Sequence, residues 1–123
     1  MIFSKYRKKR AIKKYLFLVN DLKKRYGKGD YYTFLQVKKT SETKRLSNKF
    51  LEYLYALYLD SSEFSINVSS TKTYNELREE IAVLHLDGNV DFSLEDIIRF
   101  VTPVQWGGGR VDIVRTRSGT FRQ

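Results

Sequence analysis

The sequence predicts an all-α fold, a compact bundle of about five helices with a long basic N-terminal helix and an extended or small β-hairpin C-terminal tail. Three observations predict it. Apolar residues recur three and four apart in successive segments, Thr33 with Gln36 and Thr73 with Glu76 have capping-box spacing, and Gly27, Gly88 and Pro103 stand where helices end. A chain of 123 residues sustains one core. Residues 1–102 read as a single helical domain whose first ten residues, 1–10, form a basic arm. Residues 103–123 read as a glycine-rich hinge and an extended basic tail.

The first helix is expected from Ser4 to Tyr26, with Ile12, Tyr15, Leu16, Val19, Leu22 and Tyr26 on one face. Gly27 suits the C-cap, and Lys23, Lys24 and Arg25 fill the last turn, where cations complement the macrodipole. Extended backward, the apolar stripe lands on Lys9, Lys8 and Lys5, so the front of the helix is expected to leave the core. A brief second helix follows Thr33 through Phe34, Leu35 and Val37, and the polar run Lys38 to Arg45 is expected to end it. The third opens at Ser47 and is apolar nearly all round from Phe50 to Leu59, the mark of a central buried helix. Asp60 to Thr73 reads as a Ser-rich loop with a turn of helix near Glu63 and Phe64. Thr73 then opens a helix that Asp87 and Gly88 stop, and Ser93 with Asp96 opens a short last one that Thr102 and Pro103 close. The expected core is Ile12, Leu16, Val19, Leu22, Val37, Phe50, Leu54, Leu57, Ile81, Leu84 and Ile98, with Leu77 extending the face of the helix after Thr73.

Charge is sorted along this order. Met1 to Phe50 holds 16 basic against 3 acidic residues, Leu51 to Phe100 holds 3 against 10, and the tail 4 against 1, giving +13, −7 and +3, which sum to +9. Hydrophobic residues at 41% and aromatic residues at 15% exclude a disordered chain. The absence of Cys excludes disulfides, thiolate chemistry and sulfur-ligated zinc, and fits a reducing, cytoplasmic setting. Leu16 to Val19 is too short an apolar run for a signal peptide, and nothing approaches a membrane span.

The candidate site is the basic front: Lys5, Arg7, Lys8, Lys9, Arg10, Lys13 and Lys14, continued by Lys23, Lys24 and Arg25. Such density can neutralise several phosphates and release their counterions, giving salt-sensitive, sequence-independent binding to nucleic acid. Phe3, Tyr6, Tyr31 and Tyr32 offer stacking surfaces if exposed. The plain alternative is a solvated helix face; an acidic protein, a second copy meeting the acidic middle of the first, or a weak membrane-surface contact are further partners. A helix-turn-helix fails on the third helix, which leaves no polar face for a major groove. His85 lacks the companions a metal site needs, and Glu76, Glu79 and Glu80 read as solvated carboxylates. Trp106 to Arg110 could expose backbone N–H groups as an anion nest clamped by Arg110, but lacks the residues of a P-loop; a hinge is the competing reading. No cofactor, metal or catalytic motif is expected, so a non-enzymatic binding module is the favoured class.

Ser4-Lys5-Tyr6-Arg7-Lys8-Lys9-Arg10-Ala11-Ile12-Lys13-Lys14-Tyr15, with Arg25-Tyr26-Gly27, Tyr32-Thr33 and Gln36-Val37-Lys38-Lys39, resembles a family of small uncharacterised bacterial proteins. The resemblance spans Met1 to Ile98 and is most specific over the first forty or so residues, with the tail from Pro103 departing from it. It implies a small cytoplasmic domain of unknown function, of a type similar to proteins carried on mobile gene cassettes, and it transfers no functional residue.

Overall fold

The computed structural model describes residues 2–103, with side chains from Lys5 onward. These residues form α1 (Ile2–Phe17), α2 (Val19–Tyr26), α3 (Phe34–Thr43), α4 (Leu51–Tyr58), α5 (Ser61–Asn67), α6 (Tyr74–His85) and α7 (Leu94–Val101), with no strand among them. The expected hairpin, the glycine hinge, Trp106 and Arg110 lie outside the described residues.

The local end signals act as expected. Thr33, Thr73 and Ser93 each accept from the backbone N–H three residues on, and Gln36, Glu76 and Asp96 return the bond to the cap. Gly27 ends α2 at φ 84°, in the half of conformational space that suits glycine, and donates to the Lys23 carbonyl. Asp60 caps α5 by accepting from Glu63 N at 2.8 Å, so the expected turn is a helix of 7 residues.

Three helices differ from the sequence expectation, each for an identifiable reason. The single helix from Ser4 to Tyr26 is divided at Leu18. There the buried Tyr58 hydroxyl donates to the Tyr15 carbonyl at 2.6 Å and lies 3.0 Å from that of Leu16, and Leu18 N–H reaches only three residues back, to Tyr15. A side chain inserted into the hydrogen-bond ladder is a recognised cause of helix interruption. The polar run after Val37 does not end α3 but forms its second half. Thr40 and Ser41 are buried there, their hydroxyls donating back to the Gln36 and Lys38 carbonyls, so polar residues continue the helix. α3 ends on Arg45 at φ 55°, with Leu46 N–H bonded to the Ser41 carbonyl and Arg45 N–H to that of Glu42, a Schellman closure. α4 starts at Leu51 rather than Ser47. The Ser47 carbonyl accepts from the Tyr15 hydroxyl at 2.5 Å and its own hydroxyl accepts from Lys49 N, which holds the preceding residues in a turn.

α4 is the centre of the molecule. Every residue from Tyr53 to Leu59 is buried, and the other helices supply Ile12, Leu16, Val19, Leu22, Val37, Leu77, Ile81 and Ile97 to one continuous cluster. Phe50, Leu84 and Ile98, expected inside, pack half-buried at its edge. Tyrosines give this core volume and also cap it. Tyr58 serves the end of α1, Tyr32 donates to the Gly27 carbonyl after α2, and Tyr74 donates to the Leu59 carbonyl after α4. Each ring buries apolar area while its hydroxyl satisfies a carbonyl at a helix end. Arg78, from α6, does the same with a charged fork, donating to the Ala56 and Phe92 carbonyls while its guanidinium lies 3.8 Å from the Phe92 ring centre.

Residues 2–10 of the expected basic arm belong to α1, and one of their cations packs inward. At about 100° per residue Lys8 falls in the middle of the stripe occupied by Ala11, Ile12, Tyr15 and Leu16. Instead of leaving the core there, the helix stays docked, because Lys8 Nζ meets Glu80 Oε2 of α6 at 2.6 Å and lies 5.3 Å from the Tyr53 ring centre. The stripe continues in charged form.

Candidate nucleic-acid interface

The face of α1 opposite the buried stripe carries Tyr6, Lys9, Arg10, Lys13, Lys14 and Phe17, at helical spacing. These residues line an open groove of about 1020 Å³. Leu84, His85 and Phe100 from α6 and α7 line it as well, as do Leu18, Asp21, Lys44 and Leu46. The fold therefore sets the cations of α1 beside apolar and aromatic side chains from other elements in one groove.

The candidate cations separate into distinct environments. Lys9, Arg10, Lys13 and Lys14 are exposed in the groove and make no ion pair among the described residues. Lys5 and Arg7 are exposed nearer the start of α1, outside the groove lining. Lys23, Lys24 and Arg25 stand on α2, away from it, and Arg25 reaches the Thr40 hydroxyl at 3.5 Å. Lys8 is half-buried and engaged by Glu80 instead of lining the groove. The hub of its cluster is Glu80, which accepts from Lys8 at 2.6 Å, the Tyr53 hydroxyl at 2.7 Å and Lys72 at 2.8 Å. Burial opposes ionisation of Glu80, but the hydrogen bonds from Lys72, Lys8 and Tyr53 together outweigh it and hold the carboxyl at about 2. The bond to Glu80 correspondingly raises Lys8, against the effect of its own desolvation.

Eight groove residues were not among the sequence candidates, and four of them, Phe17, Lys44, His85 and Phe100, offer a ring or a positive charge. Phe17 was accessible to a helical projection, since it lies eleven positions after Tyr6 on the cationic side. The others needed tertiary structure. Lys44 reaches the groove from the end of α3 and pairs with Asp21 at 3.5 Å. Phe100 meets Phe17 edge-on with ring centres 6.4 Å apart and meets His85 at 5.7 Å. His85 Nε2 lies 2.9 Å from the Lys9 carbonyl, which only accepts, so the neutral ring carries its proton on that nitrogen. Burial pushes the His85 pKa down, the Lys9 carbonyl raises it, and the Lys9 and Lys13 charges lower it. Of the sequence-proposed stacking residues, Tyr6 borders the groove, Tyr32 is buried, and Tyr31 is exposed away from it; the Phe3 side chain lies outside the described residues.

Among the described residues no group of three His, Asp or Glu is placed to hold a metal, and no helix is long and apolar enough to cross a membrane. The arrangement offers positive charge, ring edges and faces, and an open shape. Residues 3–121 match the model of DUF6559, a family of unknown function. The chain belongs to this family. The DUF6559 match runs past Ile98 through residue 121, so the tail, which the resemblance set apart from Pro103 onward, is part of the family pattern. No curated protein and no solved structure matches the chain.

Proposed function

We propose that this chain is a non-enzymatic binding module that engages nucleic-acid phosphates through the exposed face of α1. The observation that carries the reading is the set Lys9, Arg10, Lys13 and Lys14, exposed along one groove with no ion pair among the described residues. Two turns of helix bring four cations into reach of one backbone, and each phosphate neutralised releases counterions. Four contacts correspond to a log–log salt slope of about −2.8 for a single strand and about −3.6 for duplex. Affinity then falls roughly 50-fold and 150-fold respectively between about 50 and 200 mM salt.

Fluorescence polarisation with labelled DNA and RNA over that range tests it. Replacing Lys9, Arg10, Lys13 and Lys14 by Ala removes the salt dependence along with the binding. Absence of binding at low salt, or binding indifferent to salt, refutes the proposal. The second reading, a homodimer joining the basic face of one copy to the acidic middle of another, has fewer charges to use, since Glu80, Glu95 and Asp96 already pair within the chain. A strict monomer by light scattering at low and high salt counts against it.

A further inference from the structure

Resting on the phosphate reading of the same face, we infer that the groove of α1 takes single-stranded nucleic acid, with bases stacking on Phe17 and Phe100. The cations alone would serve any polyanion. What distinguishes the groove is the rings set among them. Tyr6 and Phe17 are 61% and 44% exposed, at opposite ends of the cationic stripe and about 16 Å apart along the helix. Phe17 touches Phe100 at an interplanar angle of 66°, and Phe100 touches His85 at 65°. Phe100, half-buried against the core, holds the Phe17 ring in place, and Phe17 keeps much of its own surface exposed.

A duplex has no use for such faces, because its bases are already stacked on one another; a single strand offers a π-face at every nucleotide. The groove is open, and His85, Phe100 and Lys44 line it together with α1. A single strand fits along it, phosphates toward Lys9, Arg10, Lys13 and Lys14, and bases toward Phe17 and Phe100.

The test compares a fluorescein-labelled oligothymidylate of about a dozen nucleotides with the same strand annealed to its complement, and repeats the single strand as oligouridylate. The full chain is expected to bind the single strand at least 10-fold more tightly than the duplex at about 100 mM salt. Phe17→Leu keeps apolar contact with Phe100 but removes the aromatic face; it is expected to weaken single-strand binding roughly 5-fold or more with the salt slope unchanged. Phe17→Tyr, which keeps the ring, restores binding, and circular dichroism melts confirm that both variants fold. Lys13→Ala with Lys14→Ala instead lowers the slope by about 1.4. Equal affinity for strand and duplex, with Phe17→Leu silent and the lysine variant weakened, overturns the single-strand inference and leaves the phosphate reading standing. No binding to any of the oligonucleotides overturns both.

Discussion

Glu80 is the joint between the basic start of the chain and its acidic middle, and Glu80→Gln tests how much that joint contributes. The substitution keeps size and shape while removing the charge that Lys8, Lys72 and the Tyr53 hydroxyl address. A carboxyl held at about 2 against an ordinary 4.5 puts a ceiling of about 3 kcal/mol on the contribution of the charged form at neutral pH. Water reduces that figure, because Glu80 keeps 28% of its side chain exposed and Lys72 keeps 43%. A loss of about 1–2 kcal/mol follows, or about 4–8 °C in Tm for a domain of this size. The pH dependence has a definite sign. A carboxyl whose folded pKa lies below its unfolded one stabilises fully above about 4.5 and loses that contribution as pH falls toward about 2. Urea unfolding followed by circular dichroism, on wild type and Glu80→Gln from about pH 7 to 3, reads both effects. The gap between the two proteins is expected to narrow by about half at the acid end. A gap below about 0.5 kcal/mol at neutral pH, or one that stays constant with pH, refutes the assignment of Glu80 as hub.

Tyr58→Phe removes the hydroxyl that donates to the Tyr15 carbonyl; a loss of about 1–3 kcal/mol is expected in urea unfolding, since the carbonyls stay buried. Gly27→Ala meets no atom within 4 Å, so its cost is conformational alone, about 1 kcal/mol, and a Tm unchanged or raised would show that φ 84° is not maintained in solution. His85, with its pKa held down chiefly by burial, favours the folded state while neutral. That contribution is present above the unfolded value near 6.5 and is lost as pH falls through the lower folded one. His85→Gln should therefore lose less Tm than wild type on going from about pH 8 to 5; equal losses in both would remove the burial argument.

The elements most legible in the sequence are those whose signals are local. Thr33, Thr73 and Ser93 act on N–H groups three residues away, and the buried stripe from Ile12 to Leu22 follows from helical period alone. Asp60 with Glu63 carried the same signal for α5, and the Ser-rich surroundings obscured it. The candidate site was legible as a list of cations but not as a surface. Lys8 looked equivalent to Lys9 because the two are neighbours in sequence, yet 100° of helical rotation sends one to Glu80 and the other to the groove.

By itself, then, the sequence determined that the described residues are helical, where most of their helices begin and end, which stripe is buried and that positive charge gathers at the front. These depend on interactions within about one turn, which residue order specifies directly. Only the tertiary structure decided that α1 stops at Phe17, that Lys8 pairs with Glu80, and that Phe100, His85 and Lys44 join α1 in one groove. The Tyr58 hydroxyl acts across 43 residues and Glu80 across 72. At such separations the partner of a polar group is chosen by the packing around α4, and residue order along one segment carries no record of that choice.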